Sequence, residues 1–71
     1  MLKVLIVDDE FIVRTGLINC INWKGLHLTL IGEAANGREA LEIIQQKAPD
    51  IVLLDMIMPE MSGMELIQKL E

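Results

Sequence analysis

The sequence predicts an α/β fold built on a doubly wound parallel sheet, and three observations support this. Strand-like and helix-like segments alternate along the 71 residues. The strand-like segments are short and apolar, and one helix-like segment separates each pair, which favours right-handed crossovers between parallel strands. The predicted order is therefore βαβαβα with strand order 2-1-3, helix 1 on one face and helices 2 and 3 on the other.

The three predicted strands differ in how deeply they should be buried. Strand 1, Leu2–Val7, is rich in β-branched residues and ends at two aspartates. Strand 2 follows at residues 26–32, where leucines alternate with His27 and Thr29, as is typical of a strand near a sheet edge. Strand 3, Ile51–Leu54, is apolar without alternation, so we expect helices on both of its faces.

Helix 1 is predicted over residues 10–22, and Gly25 is a plausible stop signal. Cys20, the only cysteine, excludes an internal disulfide and is expected to face the core as a small apolar residue. Apolar residues recur at helical spacing at Val13, Leu17, Ile18 and Ile21.

Helix 2 is predicted to begin after Asn36, an N-cap residue with Glu39 three positions later, in a variant of the capping box. Pro49 ends it. Helix 3 is predicted to be capped by Ser62 and to continue to Glu71. The predicted apolar face of helix 2 consists of Ala40, Leu41, Ile44 and Ala48.

Composition excludes several classes of protein. Hydrophobic residues make up 52% of the chain, too many for a disordered tail, and the net charge of −5 argues against nucleic-acid binding by this segment. The apolar runs are far shorter than the roughly 20 residues of a membrane span. No signal peptide is recognised, so a cytoplasmic location is expected. One histidine and one cysteine do not favour a zinc site.

Acidic residues follow two of the predicted strands and indicate where chemistry takes place. Asp8, Asp9 and Glu10 follow strand 1, and Asp55 follows strand 3. In the order 2-1-3 these strand ends meet where ligands bind in such sheets. Crowded carboxylates repel one another and attract a cation, and an all-oxygen site suits Mg²⁺. A carboxylate beside such an ion can act as a nucleophile towards phosphorus.

Simpler explanations exist for most of the acids. Asp9 alone is as well explained as a helix N-cap or a turn residue, and Asp50 as an ordinary turn residue that opens strand 3. Glu10 can simply favour the positive end of helix 1. Solvated or capping roles suit the other acids: Glu33, Glu39, Glu42, Glu60 and Glu65.

At this point the sequence resembles the receiver domains of two-component response regulators. KVLIVDDE at residues 3–10 is similar to the family's first strand and acidic pair. GEAANGREALE at residues 32–42 resembles its second strand and helix, and DIVLLDMIMPEMSGMELI at residues 50–67 its phosphoacceptor strand and following loop. The resemblance covers essentially the whole chain and implies a flavodoxin-like receiver fold.

The resemblance also implies roles for individual residues. Asp55 matches the aspartate that accepts a phosphoryl group from a sensor histidine kinase. Asp9 and Asp55 match the carboxylates that contact Mg²⁺ directly, while Asp8 acts through a metal-bound water. The backbone carbonyl of Ile57 also faces the metal, and the backbone N–H of Met56 binds phosphoryl oxygens.

INWKGL at residues 21–26 resembles a subgroup in which the receiver is joined to an AraC-type helix-turn-helix domain. DNA binding and transcription control are therefore expected only through a C-terminal domain absent from this chain. Residues 1–71 supply strands 1–3, helices 1–2 and the start of helix 3 of a five-stranded domain. We interpret them as a partial receiver, whose unpaired strand 3 favours a dimer or edge-to-edge assembly.

Two other functions are alternatives to phosphoacceptance, which is self-phosphotransfer rather than enzymatic turnover. A fragment with a purely structural or interaction role is one alternative. A phosphatase of the haloacid-dehalogenase type is another. That chemistry needs a second aspartate two residues after the nucleophile on strand 1, whereas Asp8 and Asp9 are adjacent and Phe11-Ile12 supplies no threonine.

Overall fold

The structure is a computed structural model that describes residues 1–54 and 68–69. Residues 68 and 69 are helical, as predicted for helix 3, whose remaining residues lie outside the described ones. No helix in the described part of the chain combines the length and apolar character needed to cross a bilayer. The elements are β1 (Leu2–Val7), α1 (Phe11–Cys20), β2 (Leu28–Ala34), α2 (Gly37–Lys47) and β3 (Ile51–Leu54).

The three strands form one parallel sheet in the order β2-β1-β3, which confirms the predicted topology. β1 is the central strand, so its backbone is hydrogen-bonded on both sides. On the β2 side, Val4 pairs with Leu30 and Leu5 with Gly32, so that Ile31 forms a bulge. β2 lies at an edge, as the alternation in its sequence predicted.

The core is centred on β1, where Val4, Leu5, Ile6 and Val7 are each at most 1% exposed. Leu5 and Val7 point to the face covered by α2 and form a cluster with two small buried residues, Ala34 and Ala40. Small residues there let α2 approach the sheet closely. Larger, half-buried side chains complete the cluster: Leu41, Ile43, Ile44, Val52 and Leu54.

α1 lies on the opposite face of the sheet, because Leu17 lines a cavity with Leu53, whose β1 partner Ile6 faces away from α2. Of the predicted apolar stripe, Ile21 lies just beyond the helix and Val13 and Leu17 are 39% and 36% exposed, so α1 has no buried residue. The prediction that Cys20 faces the core is wrong, since its side chain is exposed. Cys20 is the last residue of α1, which packs on the three strands of the described sheet.

β2 begins two residues later than the sequence predicted. Leu26 is 61% exposed and His27 has a positive φ of 57°, so neither belongs to the strand. A turn holds them, because the N–H of Leu26 donates to the backbone O of Asn22 at 3.0 Å and the N–H of Gly25 to Asn22 Oδ1 at 3.1 Å. A Cβ at Gly25 would meet the Asn22 side chain, so a larger residue there would require that side chain to move.

The N-terminus of α2 is capped as predicted. Asn36 Oδ1 accepts a hydrogen bond from the N–H of Glu39 at 2.9 Å, and Glu39 Oε1 accepts from the N–H of Ala35 at 2.8 Å. The first bond satisfies an N–H that the helix leaves without an intrahelical partner, and the second ties the residue before the N-cap to the same glutamate. The reciprocal pair fixes where the chain turns from β2 into α2.

The C-terminus of α2 differs from the prediction. Ala48 was assigned to the apolar face, but it is exposed and adopts a left-handed conformation with φ 46°, while its N–H donates to the O of Ile44. The residue is therefore a C-cap. Ile43, which the predicted face omitted, packs against the core instead.

Asp50 ties the start of β3 to the start of β1. Its Oδ2 accepts from the N–H of Lys3 at 2.7 Å, and its own N–H donates to the O of Lys3 at 2.8 Å. Lys3 Nζ also donates to the O of Lys47 at the end of α2. The turn that the sequence assigned to Asp50 is real, and it also sets the register of β3 against β1.

β3 is less covered than its uniformly apolar sequence predicted, because all four of its residues are only half-buried. Val52 and Leu54 pack towards α2, and Leu53 faces the α1 side. Within residues 1–54, β3 is paired with β1 alone. Its second edge therefore has no strand partner in the described part of the chain.

Asp50→Ala is expected to lower the free energy of unfolding by about 1–2 kcal/mol, because the N–H of Lys3 loses its acceptor. Urea unfolding of the full-length protein, meaning one that includes the strands expected beyond residue 71, measures this change. Asp50→Asn keeps an acceptor oxygen and should unfold within about 0.5 kcal/mol of the wild type. Equal losses in both variants would contradict this role of the carboxylate.

The 71-residue chain on its own is expected to self-associate through the edge of β3 that has no strand partner within residues 1–54, or to unfold without a cooperative transition. An apolar edge strand with unpaired backbone groups is a template for further strand pairing. Sedimentation velocity over a range of concentrations tests this, with the full-length protein as the control. A concentration-independent monomer that unfolds in one sharp transition would refute the expectation.

Candidate functional site

The ends of β1 and β3 lie side by side, as the sequence predicted. Val7, the last residue of β1, pairs with Leu54, the last residue of β3, and also with Ala34 of β2. The chain therefore leaves all three strands at the same edge of the sheet. Asp55, Met56 and Ile57, which the sequence assigned to the site, lie outside the described residues.

Asp8 is held at three of its atoms. Its N–H donates to the O of Ala34 at 3.0 Å, which continues the β1–β2 pairing by one step. Its carboxylate Oδ1 accepts from the N–H of Glu10 at 2.9 Å, and its carbonyl O accepts from Arg14 Nη1. The residue is half-buried. These contacts fix the first acidic residue after the central strand.

Asp9 is exposed, and it is not the N-cap of α1. The N-cap is Glu10, which has extended backbone angles and makes no side-chain capping hydrogen bond. The N-cap role for Asp9 is therefore wrong, because the helix begins one residue later than that role requires, whereas the alternative of a turn residue agrees with its place in a bend between β1 and α1. The structure leaves the Asp9 carboxylate outside the helix cap.

Arg14 belongs to the site although the sequence analysis did not select it. Its Nη1 donates to the carbonyl O of Asp8, its Nε donates to Glu33 Oε1 at 3.2 Å, and its guanidinium lies 5.7 Å from the centroid of the Phe11 ring. A signal was present, because Arg14 is the only charged residue of α1. A single cation in an apolar helix, one turn after an acidic run, indicates a specific partner.

A cavity of about 430 Å³ opens next to Asp8. Its walls combine the ends of β1 and β3 with the middle of α1. Among the described residues that line it, Asp8 is charged and the others are apolar. The lining residues are Val7, Asp8, Leu17, Leu53 and Leu54.

Oxygen ligands dominate this edge, and they suit Mg²⁺ better than a transition metal. Within the described residues no three histidine, cysteine, aspartate or glutamate side chains group as a metal site. Asp8 and Asp9 supply two adjacent carboxylates, and Asp55, the predicted third, lies outside the described residues. The donors that are described therefore fit a hard cation but do not make a complete site by themselves.

Comparison with known families gives one match along nearly the whole chain. The profile of the family described as "Response regulator receiver domain" matches residues 4–71. This range includes every residue that the sequence analysis assigned to the site.

Individual proteins support the same relationship. The "Uncharacterized transcriptional regulatory protein YesN" of Bacillus subtilis is 49% identical over 97% of this chain, which spans only 19% of that protein. A crystal structure of a two-component transcriptional regulator AraC from Clostridium phytofermentans has a TM-score of 0.89 at 43% identity, covering 97% of this chain and 54% of that one. The CheX–CheY–BeF3–Mg²⁺ complex from Borrelia burgdorferi has a TM-score of 0.85 at 32% identity, covering 97% and 52%.

Mg²⁺ is expected to protect the full-length protein from unfolding, because a ligand that binds only the folded form stabilises it. At ten times its dissociation constant the ion should add about 1.4 kcal/mol to the free energy of unfolding. Asp9→Asn should abolish most of this protection while raising stability in EDTA, since it removes repulsion between neighbouring carboxylates. Urea unfolding with and without Mg²⁺ measures both effects.

The matched control for Asp9→Asn is Asp50→Asn, which removes one negative charge at the opposite end of β3. It should keep the full protection by Mg²⁺. Equal protection in the wild type and in Asp9→Asn would show that Asp9 does not bind the ion.

Proposed function

Because this chain belongs to the response regulator receiver domain family, we propose that it accepts a phosphoryl group on Asp55 from a sensor histidine kinase, with Mg²⁺ bound beside it. The observation that carries the proposal is the pairing of Val7 with Leu54. It supports a shared site for the acids that follow β1 and β3, because the chain leaves both strands at the same edge of the sheet.

The residues that would hold Mg²⁺ are Asp9 and Asp55 directly, Asp8 through a bound water, and Ile57 through its backbone carbonyl. This set consists of oxygen atoms only, which matches the preference of the ion. The name of the similar Borrelia burgdorferi complex includes Mg²⁺ and BeF3, which supports the same chemistry here. When bound, the ion offsets the negative charge of the incoming phosphoryl group.

The transfer itself needs a nucleophile and a leaving group. A carboxylate oxygen of Asp55 forms a bond to phosphorus while the P–N bond of a phosphohistidine breaks. The electron pair of that bond remains on the imidazole nitrogen of the kinase. The backbone N–H of Met56 binds phosphoryl oxygens, and the apolar side chain of Ile57 has no group to orient a hydrolytic water.

We assign the chain to the N-terminal part of a receiver domain, followed in the full-length protein by an AraC-type helix-turn-helix output domain that binds DNA. The regulatory names of the relatives support this, as does the 43% identity to the AraC regulator of Clostridium phytofermentans. The net charge of −5 suits a signalling segment rather than the DNA-binding one. The protein would act in the cytoplasm, as a phosphoacceptor rather than as an enzyme with turnover.

The full-length protein, incubated with a small acyl phosphate and Mg²⁺, should gain the mass of a single phosphoryl group. Asp55→Asn should gain none, because an amide is not a nucleophile towards phosphorus under these conditions. Intact-mass spectrometry measures the gain, and EDTA should suppress it. Asp50→Asn, which changes an acid on the same strand segment, should label like the wild type.

Labelling that persists in Asp55→Asn would refute the assignment of the phosphoacceptor. A full-length wild type that is folded, yet takes up no phosphoryl group from either an acyl phosphate or a phosphorylated kinase, would instead support a structural or interaction role.

A further inference from the structure

Asp8 is held from the side of β2. Its N–H, which belongs to the preceding peptide group, donates to the O of Ala34, and its carbonyl O, which belongs to the peptide group that joins it to Asp9, accepts a hydrogen bond from Arg14 Nη1. Arg14 is in turn bound through Nε to Glu33, the residue before Ala34. One end of β2 thus restrains Asp8 by two independent routes, a backbone hydrogen bond and a side-chain bridge.

Arg14 is suited to this task by its shape and its surroundings. Its side chain is only 13% exposed, whereas that of Glu33 is 39% exposed. The guanidinium is planar, so fixing its Nε edge on Glu33 also fixes the direction of its Nη1 group. The Phe11 ring adds a contact to the same group. The donor to Asp8 is therefore oriented before any ligand arrives.

The orientation of this peptide group matters because Asp9 is exposed. An exposed side chain has little packing to hold it, so the position of its carboxylate depends on the backbone that carries it. A change in the ψ angle of Asp8 would turn its carbonyl O away from Arg14 and would displace Asp9, together with its Cβ and its carboxylate.

We propose that Arg14, oriented by Glu33, is a positioning residue that holds the Asp8–Asp9 peptide group so that Asp9 is prearranged to bind the divalent cation. This inference rests on the proposed function, since it concerns the affinity of the same site. Arg14 is not among the residues that would hold the cation or the phosphoryl group. Glu33 has a second effect, because its negative charge offsets that of the guanidinium, which would otherwise oppose a cation nearby.

The experiment compares Mg²⁺ binding by the wild type and by Arg14→Met in the full-length protein, using isothermal titration calorimetry well below the unfolding temperature. Arg14→Met should raise the dissociation constant for Mg²⁺ about threefold to tenfold. Removing a partner that directly orients a metal ligand weakens metal binding by about tenfold to a hundredfold, and Arg14 acts on Asp9 only through the backbone. Arg14→Lys, which keeps one donor but loses the planar fork, should recover part of the affinity. At saturating Mg²⁺, phosphoryl uptake by Arg14→Met should return to near the wild-type level.

Lys24→Met is the matched control, because it removes one positive charge from an exposed residue of the loop at the opposite end of β1. Its dissociation constant for Mg²⁺ should equal that of the wild type. A constant for Arg14→Met that matches Lys24→Met, together with a lower unfolding midpoint in EDTA, would show that Arg14 only stabilises the fold and would overturn the proposal.

Glu33→Ala provides a second route if Arg14→Met does not fold. It leaves Arg14 in place but removes its orienting partner and its counter-charge, so Mg²⁺ should bind about twofold to fivefold more weakly. Unchanged affinity would overturn the proposal. The failure of the proposed function is a different result, in which the wild type itself binds no Mg²⁺ and takes up no phosphoryl group.

Discussion

The burial of β1 between two parallel strands is the constraint on which the rest of the structure depends. Its four residues from Val4 to Val7 are almost completely inaccessible, with strand partners on both sides and side chains directed to both faces of the sheet. A slip of one residue would exchange its two faces and disrupt both packing layers, so the register is strongly specified. The core therefore fixes the position of the acids that follow β1.

Polar contacts at the two ends of β1 position the residues around this buried strand. At the first end, the paired hydrogen bonds between Lys3 and Asp50 set the start of β3. At the other end, Asp8 is bound to Ala34 and to Arg14, which Glu33 orients. The two ends have different consequences, because the first aligns the strands whereas the second orients the peptide group of the acidic pair.

The α1 face of the sheet is thinly covered in comparison with the α2 face. Phe11 and Ile12 are 68% and 83% exposed, and α1 contributes no buried residue. The second edge of β3 also lacks a strand partner within residues 1–54. Both features agree with our proposal that these residues are part of a larger receiver, since the chain spans about half the length of the similar receiver structures.

The sequence by itself determined the order of the elements, the 2-1-3 topology, the Asn36 cap and the meeting of the β1 and β3 ends. These features follow from periodicity and capping residues, which are local, and from crossover handedness, which is a general rule. It could not determine the burial of Cys20 or the exit of Ala48 from α2, since these depend on what covers a helix and where its last turn ends. Only the tertiary structure decided that Glu10 rather than Asp9 caps α1, and that Arg14 bridges Asp8 and Glu33. That bridge joins residues of α1, β2 and the loop after β1; local sequence marks Arg14 as the single charged residue of α1, but it does not identify partners on separate elements.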